Sequence, residues 1–218
     1  MLSFAEENYL KAIFHLSDSG ATEVSTNAIS DHMSTKPASV SDMIRKLDEK
    51  GMVTYKKYYG VNISKKGKMM ALQVIRKHRL WEVFLVDKLK FNWDEVHEVA
   101  EQLEHIRSGL LIQRLDEFLD YPKVDPHGDP IPDENGEMAV AKKTPLDKVE
   151  VGVKGKIVAV NDEGSSFLQY LDKIGIYLGA RLEVTGRVDF DGSMEILIDN
   201  KQKVFISREV SQNILITD

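Results

Sequence analysis

Apolar positions Tyr9, Leu10, Ile13 and Leu16 recur at helical spacing from Ser3 onward, and "DSGATE" interrupts the pattern, which predicts a first helix ending near Leu16. "STNAISDHMS" opens on Ser/Thr and reads as a short second helix. In "TKPASVSDMIRKLDEKG", Pro37 near the start and Gly51 at the end bracket a third. "MVTYKKYYGVNISKKGK" then offers two β-prone runs around Gly60, a hairpin. Helix, helix, turn, helix and a two-stranded wing is the order of a winged helix-turn-helix, whose third helix enters the major groove.

Residues 69–90 read as a long helix with Leu72, Ile75, Val83 and Leu89 on an apolar stripe. A further helix is expected from Asn92 or Asp94 to about Leu119. On it, Leu103, Ile106, Leu110 and Leu111 suggest a dimer seam. "YPKVDPHGDPIPDENGEMAVAKKTP" holds five of the six prolines and reads as a linker. From Asp147 on, "GKIVAV", "RLEVTGRV", "SMEILI" and "KVFIS" are short alternating runs that predict a small β-barrel, with "SSFLQYLDKIG" as a helical insert. The expected class is α+β and multidomain, divided at 1–71, 72–143 and 144–218.

Composition narrows the chemistry. Without cysteine, neither a disulfide framework nor a thiolate zinc site is possible, and any metal must use nitrogen and oxygen ligands. The N-terminus lacks a basic, then apolar, signal pattern and no run approaches a membrane span, so a cytoplasmic protein without a membrane partner is expected. The net charge of −6 conceals a local excess: from Thr35 to Lys68, nine basic residues stand against three acidic ones, a balance of +6. That favours double-stranded DNA. Lys36, Pro37, Ser39 and Ser41 at the start of the third helix are expected at bases or phosphates. Lys56 and Lys57, with Lys65, Lys66 and Lys68, are expected around the wing.

"HEVAEQLEH" at 97–105 carries two histidines and three glutamates. At about 100° per residue, His97, Glu101, Glu104 and His105 fall within one arc. The alternative is an ordinary solvated face. His78 and Glu82 likewise share a face, being four apart. No Walker loop, nucleophile elbow or dinucleotide fingerprint is present.

The segments "KPASVSDMIRKLDEKGMVTYKKYYGVNISKKGK", "RKHRLWEVFL", "EVHEVAEQLEHI", "PHGDPIP" and "GKIVAVNDEGSSFLQYLDKIGI", in this order, resemble the diphtheria-toxin-repressor and manganese-transport-regulator family of metal-dependent bacterial repressors. The resemblance covers nearly the whole chain and implies an SH3-like (FeoA-like) C-terminal domain. It further implies one metal centre from Asn8, Glu101, Glu104 and His105, and a second from His78, Glu82 and His97 with Glu163 and Ser166. A related arrangement in its streptococcal branch would use Glu82, Asp125 and His127 with Asp162 or Glu163. Asn8 stands where the manganese branch has Asp and the iron branch Met. Lys11 stands where some manganese regulators have Glu, and Ser166 where the iron branch has Gln. The implied protein is a homodimeric repressor, not an enzyme, that binds operator DNA with Mn(II) or Fe(II) and controls metal uptake. The competing readings are a metal-dependent hydrolase built on the His/Glu cluster, and a metal-independent winged-helix regulator with a protein partner.

Overall fold

The computed structural model describes residues 2–56, 59–139 and 142–217. The chain packs as two compact bodies. The first holds the chain to His78 with Glu101–Ile112 and Pro132–Met138; the second holds Arg79–Ala100, Gln113–Ile131 and the chain from Ala139 on.

In the first body, helix α1 (Phe4–Leu16) begins at a reciprocal cap, in which Ser3 Oγ accepts the Glu6 amide and the Glu6 carboxylate accepts the Ser3 amide. Helix α2 (Thr26–His32) is capped by Ser25, and α3 (Pro37–Glu49) starts on Pro37 with no side chain capping it. Strands β1 (Val53–Lys56) and β2 (Gly60–Ile63) pair antiparallel with Val53 opposite Ile63. Lys57, expected on the wing, lies outside the described residues. Leu10, Ile13, Ile29, Val40, Ile44, Leu47 and Val61 are fully enclosed and form one core. Helix α4 (Lys65–Asp87) starts directly after the wing. Lys65, Lys66 and Lys68 therefore stand on its first turns and not on the hairpin, because Ser64 accepts the Gly67 amide and starts the helix early. Gly67 is required there, since a Cβ would meet the Met52 carbonyl oxygen at 2.0 Å.

The helix expected over 94–119 is two helices, α5 (Val96–Leu103) and α6 (Gly109–Phe118). The break follows from "RSG": Ser108 accepts the Leu111 amide through its hydroxyl and so restarts the helix. Glu104 and His105 consequently sit in the turn just beyond α5, not on a continuous helical face. Leu110, Leu111 and Phe118 of α6 are exposed in the single chain.

The second body contains a six-stranded antiparallel sheet. Its strands are β3 (Thr144–Pro145), β4 (Lys154–Val160), β5 (Arg181–Arg187), β6 (Met194–Ile198), β7 (Gln202–Ile206) and β8 (Ile214–Thr217), in the order β3-β8-β4-β5-β6-β7. Register shifts at Ile157/Ala159 and Val184/Gly186 curve it toward a barrel, but β3 and β7 remain edges, so the sheet is open. Helix α7 (Ser165–Lys173) covers one face through Leu168 and Leu171, and a short α8 (Arg208–Gln212), not anticipated, precedes β8. Asp94 accepts from Ser165 and Gln169, and Trp93 Nε1 donates to Asp172, so α7 is tied to the segment before α5.

Gly128 in the linker has φ +89°, and a Cβ there would approach the Val158 oxygen to 1.9 Å. Gly128→Ala should therefore lower stability by about 2–3 kcal/mol in denaturant titration, through backbone strain and overpacking together.

Candidate metal centres

The first cluster lies wholly within the first body. Glu7, Asn8 and Lys11 share one face of α1 by helical spacing. Lys11 Nζ reaches Glu101 Oε1 at 2.5 Å and Glu104 Oε1 and Oε2 at 2.7 and 2.8 Å. Glu104 has no exposed surface, and its Oε2 also accepts from His78 Nδ1 at 2.6 Å. Burial alone would raise the Glu104 carboxyl, but the His78 hydrogen bond and the Lys11 ammonium hold it below the usual carboxylate range. His105 donates from Nδ1 to Glu7 Oε2 at 2.7 Å, which leaves Nε2 as the lone-pair nitrogen, 3.7 Å from Glu104 Oε1. Phe4 stacks on the imidazole with ring centroids 4.7 Å apart.

The second cluster lies wholly within the second body and centres on Glu82, itself 1% exposed. Glu82 Oε1 is 3.7 Å from His97 Nδ1, which is 3.5 Å from Glu163 Oε2. Glu82 Oε2 is 3.8 Å from His127 Nδ1. Two triads, Glu82/His97/Glu163 and Glu82/Asp125/His127, each bring one ligand atom per residue within 4.8 Å of the others. The linker holds its two residues rigidly: Asp125 Oδ1 accepts the amides of His127 and Asp129, and Arg79 bonds Asp129 and the Pro130 carbonyl. His127 Nε2 lies 2.8 Å from the Trp93 carbonyl, which only accepts, so Nε2 carries the proton. The opposite nitrogen, Nδ1, is buried without a hydrogen-bond partner and faces the carboxylates.

Of the anticipated residues, Glu101, Glu104 and His105 belong to the first cluster, and Asn8 shares the α1 face with Glu7 and Lys11. His78 bonds Glu104 there. Asp162 caps the Gly164 amide and, with Ser166, lines an open groove beside α7; neither belongs to the triads. Glu7 was missed by sequence reading, because a carboxylate in the first turn of a helix is accounted for by the helix dipole alone. Its spacing to Lys11, four residues on, was the available signal.

Both clusters suit a divalent ion. Asn8 Oδ1 and His127 Nδ1 are buried lone-pair atoms with no hydrogen-bond partner, which is the state of a ligand atom awaiting a cation. Each resolved histidine tautomer is fixed by a partner on its other nitrogen, as metal-ligating imidazoles are. Oxygen and imidazole donors with no thiolate suit Mn(II) or Fe(II).

Residues 1–61 match the family described as the iron-dependent repressor N-terminal DNA-binding domain, 64–133 its metal binding and dimerisation domain, and 144–218 the FeoA domain. A solved manganese-dependent transcriptional repressor in complex with manganese is 34% identical with a TM-score of 0.87, over 98% of this chain and 99% of that one. ScaR with bound Zn2+ is 31% identical with a TM-score of 0.78, over 98% and 99%. The diphtheria toxin repressor of Corynebacterium diphtheriae is 29% identical over 89% of both chains. The iron-dependent repressor IdeR of Mycobacterium leprae is 33% identical over 58% of this chain, an alignment that spans 54% of the relative. The chain belongs to the iron-dependent repressor family, whose members are metal-dependent transcriptional repressors and not enzymes. This sets aside the hydrolase reading. Among the described residues, no helix is long and apolar enough to cross a membrane.

Burial and the Glu82 charge push the Asp125 carboxyl up to about 7 against an ordinary 3.8. Between those values the folded, metal-free chain binds more protons than the unfolded one, so its stability should fall as pH rises through that window. Denaturation midpoints taken across it check this, and Asp125→Asn should flatten the decline.

Proposed function

We propose that the protein is a cytoplasmic, homodimeric repressor that binds operator DNA when loaded with Mn(II) or Fe(II), and that it regulates genes of metal uptake. The carrying observation is the first cluster: α1, a helix of the DNA-binding domain, faces Glu101 in the last turn of α5 and Glu104 and His105 in the turn after it. An ion held there by Asn8, Glu101, Glu104 and His105 would supply positive charge that binds α1 to that turn, and so orders the DNA-binding domain. Glu82, His97 and Glu163, or Glu82, Asp125 and His127, would hold a second ion. Of these two ions Mn(II) is preferred, on the likeness to a manganese-bound repressor.

The division of labour follows residues 1–71 for DNA, 72–143 for metal and dimerisation and 144–218 for the FeoA-like domain. Lys36, Pro37 and Ser39 are exposed at the N-terminus of α3, whose first amides have no side-chain cap and are open to a phosphate. Ser41 is turned back onto the Pro37 carbonyl. Leu110, Leu111 and Phe118 supply an apolar face for the dimer.

Operator binding measured side by side with Mn(II), Fe(II), Zn(II) and chelator tests this. His105→Ala should keep the dimer and non-specific DNA affinity but forfeit about 1–3 kcal/mol of the metal-conferred gain, whereas Glu98→Ala should change little. Full metal response in His105→Ala would defeat the assignment. Replacing Lys36 or Lys56 by Ala should each reduce the salt dependence of binding by about one counterion.

A further inference from the structure

The Lys11 ammonium has three N–H donors, and the structure spends them on Glu101 Oε1, Glu104 Oε1 and Glu104 Oε2. Two of the three carboxylates of the first cluster, Glu101 and Glu104, are thereby answered by one positive charge on a side chain only 14% exposed. A divalent ion that takes these oxygens as ligands cannot share them with an ammonium at hydrogen-bond distance, because the two cations would repel within a site largely closed to water. The lysine stem is long and flexible enough to swing its charge out to solvent.

We propose that Lys11 is a built-in competitor for the first metal centre: its ammonium fills the cation's place between Glu101 and Glu104 in the metal-free protein and leaves when the ion enters. The proposal rests on the metal-switch reading above. Two consequences follow from the geometry. In the metal-free chain the single ammonium keeps Glu104 from being left as an uncompensated buried charge, and a divalent ion in its place adds charge and ligand bonds between α1 and the turn. The metal concentration at which the centre fills is set by the exchange of one cation for another, and not by ligand chemistry alone. Lys11 is thus a threshold-setting residue that ligates nothing.

The test compares the wild-type protein with Lys11→Met, which keeps the apolar stem and removes the charge. Free Mn(II) is counted by electron paramagnetic resonance during titration, and the first centre is identified as the binding class lost in His105→Ala. Lys11→Met should bind Mn(II) at that centre about tenfold more tightly, within the range of ordinary site coupling. Its metal-free form should melt at a lower temperature than wild type. In the wild-type protein, acylation of Lys11 by an amine-reactive reagent, followed by peptide mass spectrometry, should speed up severalfold when Mn(II) is added; this arm needs no variant to fold. Unchanged or weaker Mn(II) binding in Lys11→Met, or unchanged Lys11 reactivity on metal addition, would overturn the competitor role while leaving the metal switch intact. Absence of any His105-dependent Mn(II) binding in the wild-type protein would instead remove the switch reading, and this proposal with it.

Discussion

A carboxylate with no surface open to water is unstable unless positive charge or donors meet it, and Glu104 imposes that condition on the first body. Its partners come from far along the chain: Lys11 from α1 and His78 from α4. The Glu7–His105 bond repeats the pattern one residue on, again joining α1 to the turn after α5. The apolar core built from Leu10, Ile13, Ile44 and Leu47 stabilises the winged helix-turn-helix but does not specify these contacts. Electrostatic compensation of a buried group supplies the specificity.

The two clusters are built on different principles. The first is assembled from long side chains on α1 that reach toward the end of α5 and the turn after it. The second is held by main-chain atoms: the amides of His127 and Asp129 on Asp125, the Trp93 carbonyl on His127, and the His127 carbonyl accepting the Val160 amide from β4. A site of the first kind changes its internal bonding when a cation is exchanged. A site of the second kind is preformed.

Much of the fold was legible in the sequence because it follows from local rules. Pro37 and Gly51 bound α3, the β-prone runs around Gly60 give the wing, and alternating runs after Asp147 give the sheet. What local rules miss is competition between them. The apolar periodicity through residues 94–119 argues for one helix, but Ser108 caps a new one and wins, which moves Glu104 and His105 off the helix. The ligand-bearing residues were visible as an unusual density of His and Glu. Glu82 stands with His97 and Glu163, and with Asp125 and His127, as the family resemblance implies, whereas the bond from His78 to Glu104 had no local signal. Periodicity gives the face on which a side chain stands, but the partner depends on tertiary contacts between distant segments.

The tautomer of His127 is set by a peptide carbonyl, the oxygen of residue 93, and not by any side chain. The indole of Trp93 is a separate matter: it stacks on the imidazole at 6.1 Å and bonds Asp172, but the proton on Nε2 does not depend on it. Substitution at position 93 can therefore alter packing, and the tie to α7, while the lone pair on Nδ1 stays where it is. In evolutionary terms the protonation state of this imidazole is shielded from point mutation at its partner's position, and only a change in the path of the backbone would release it.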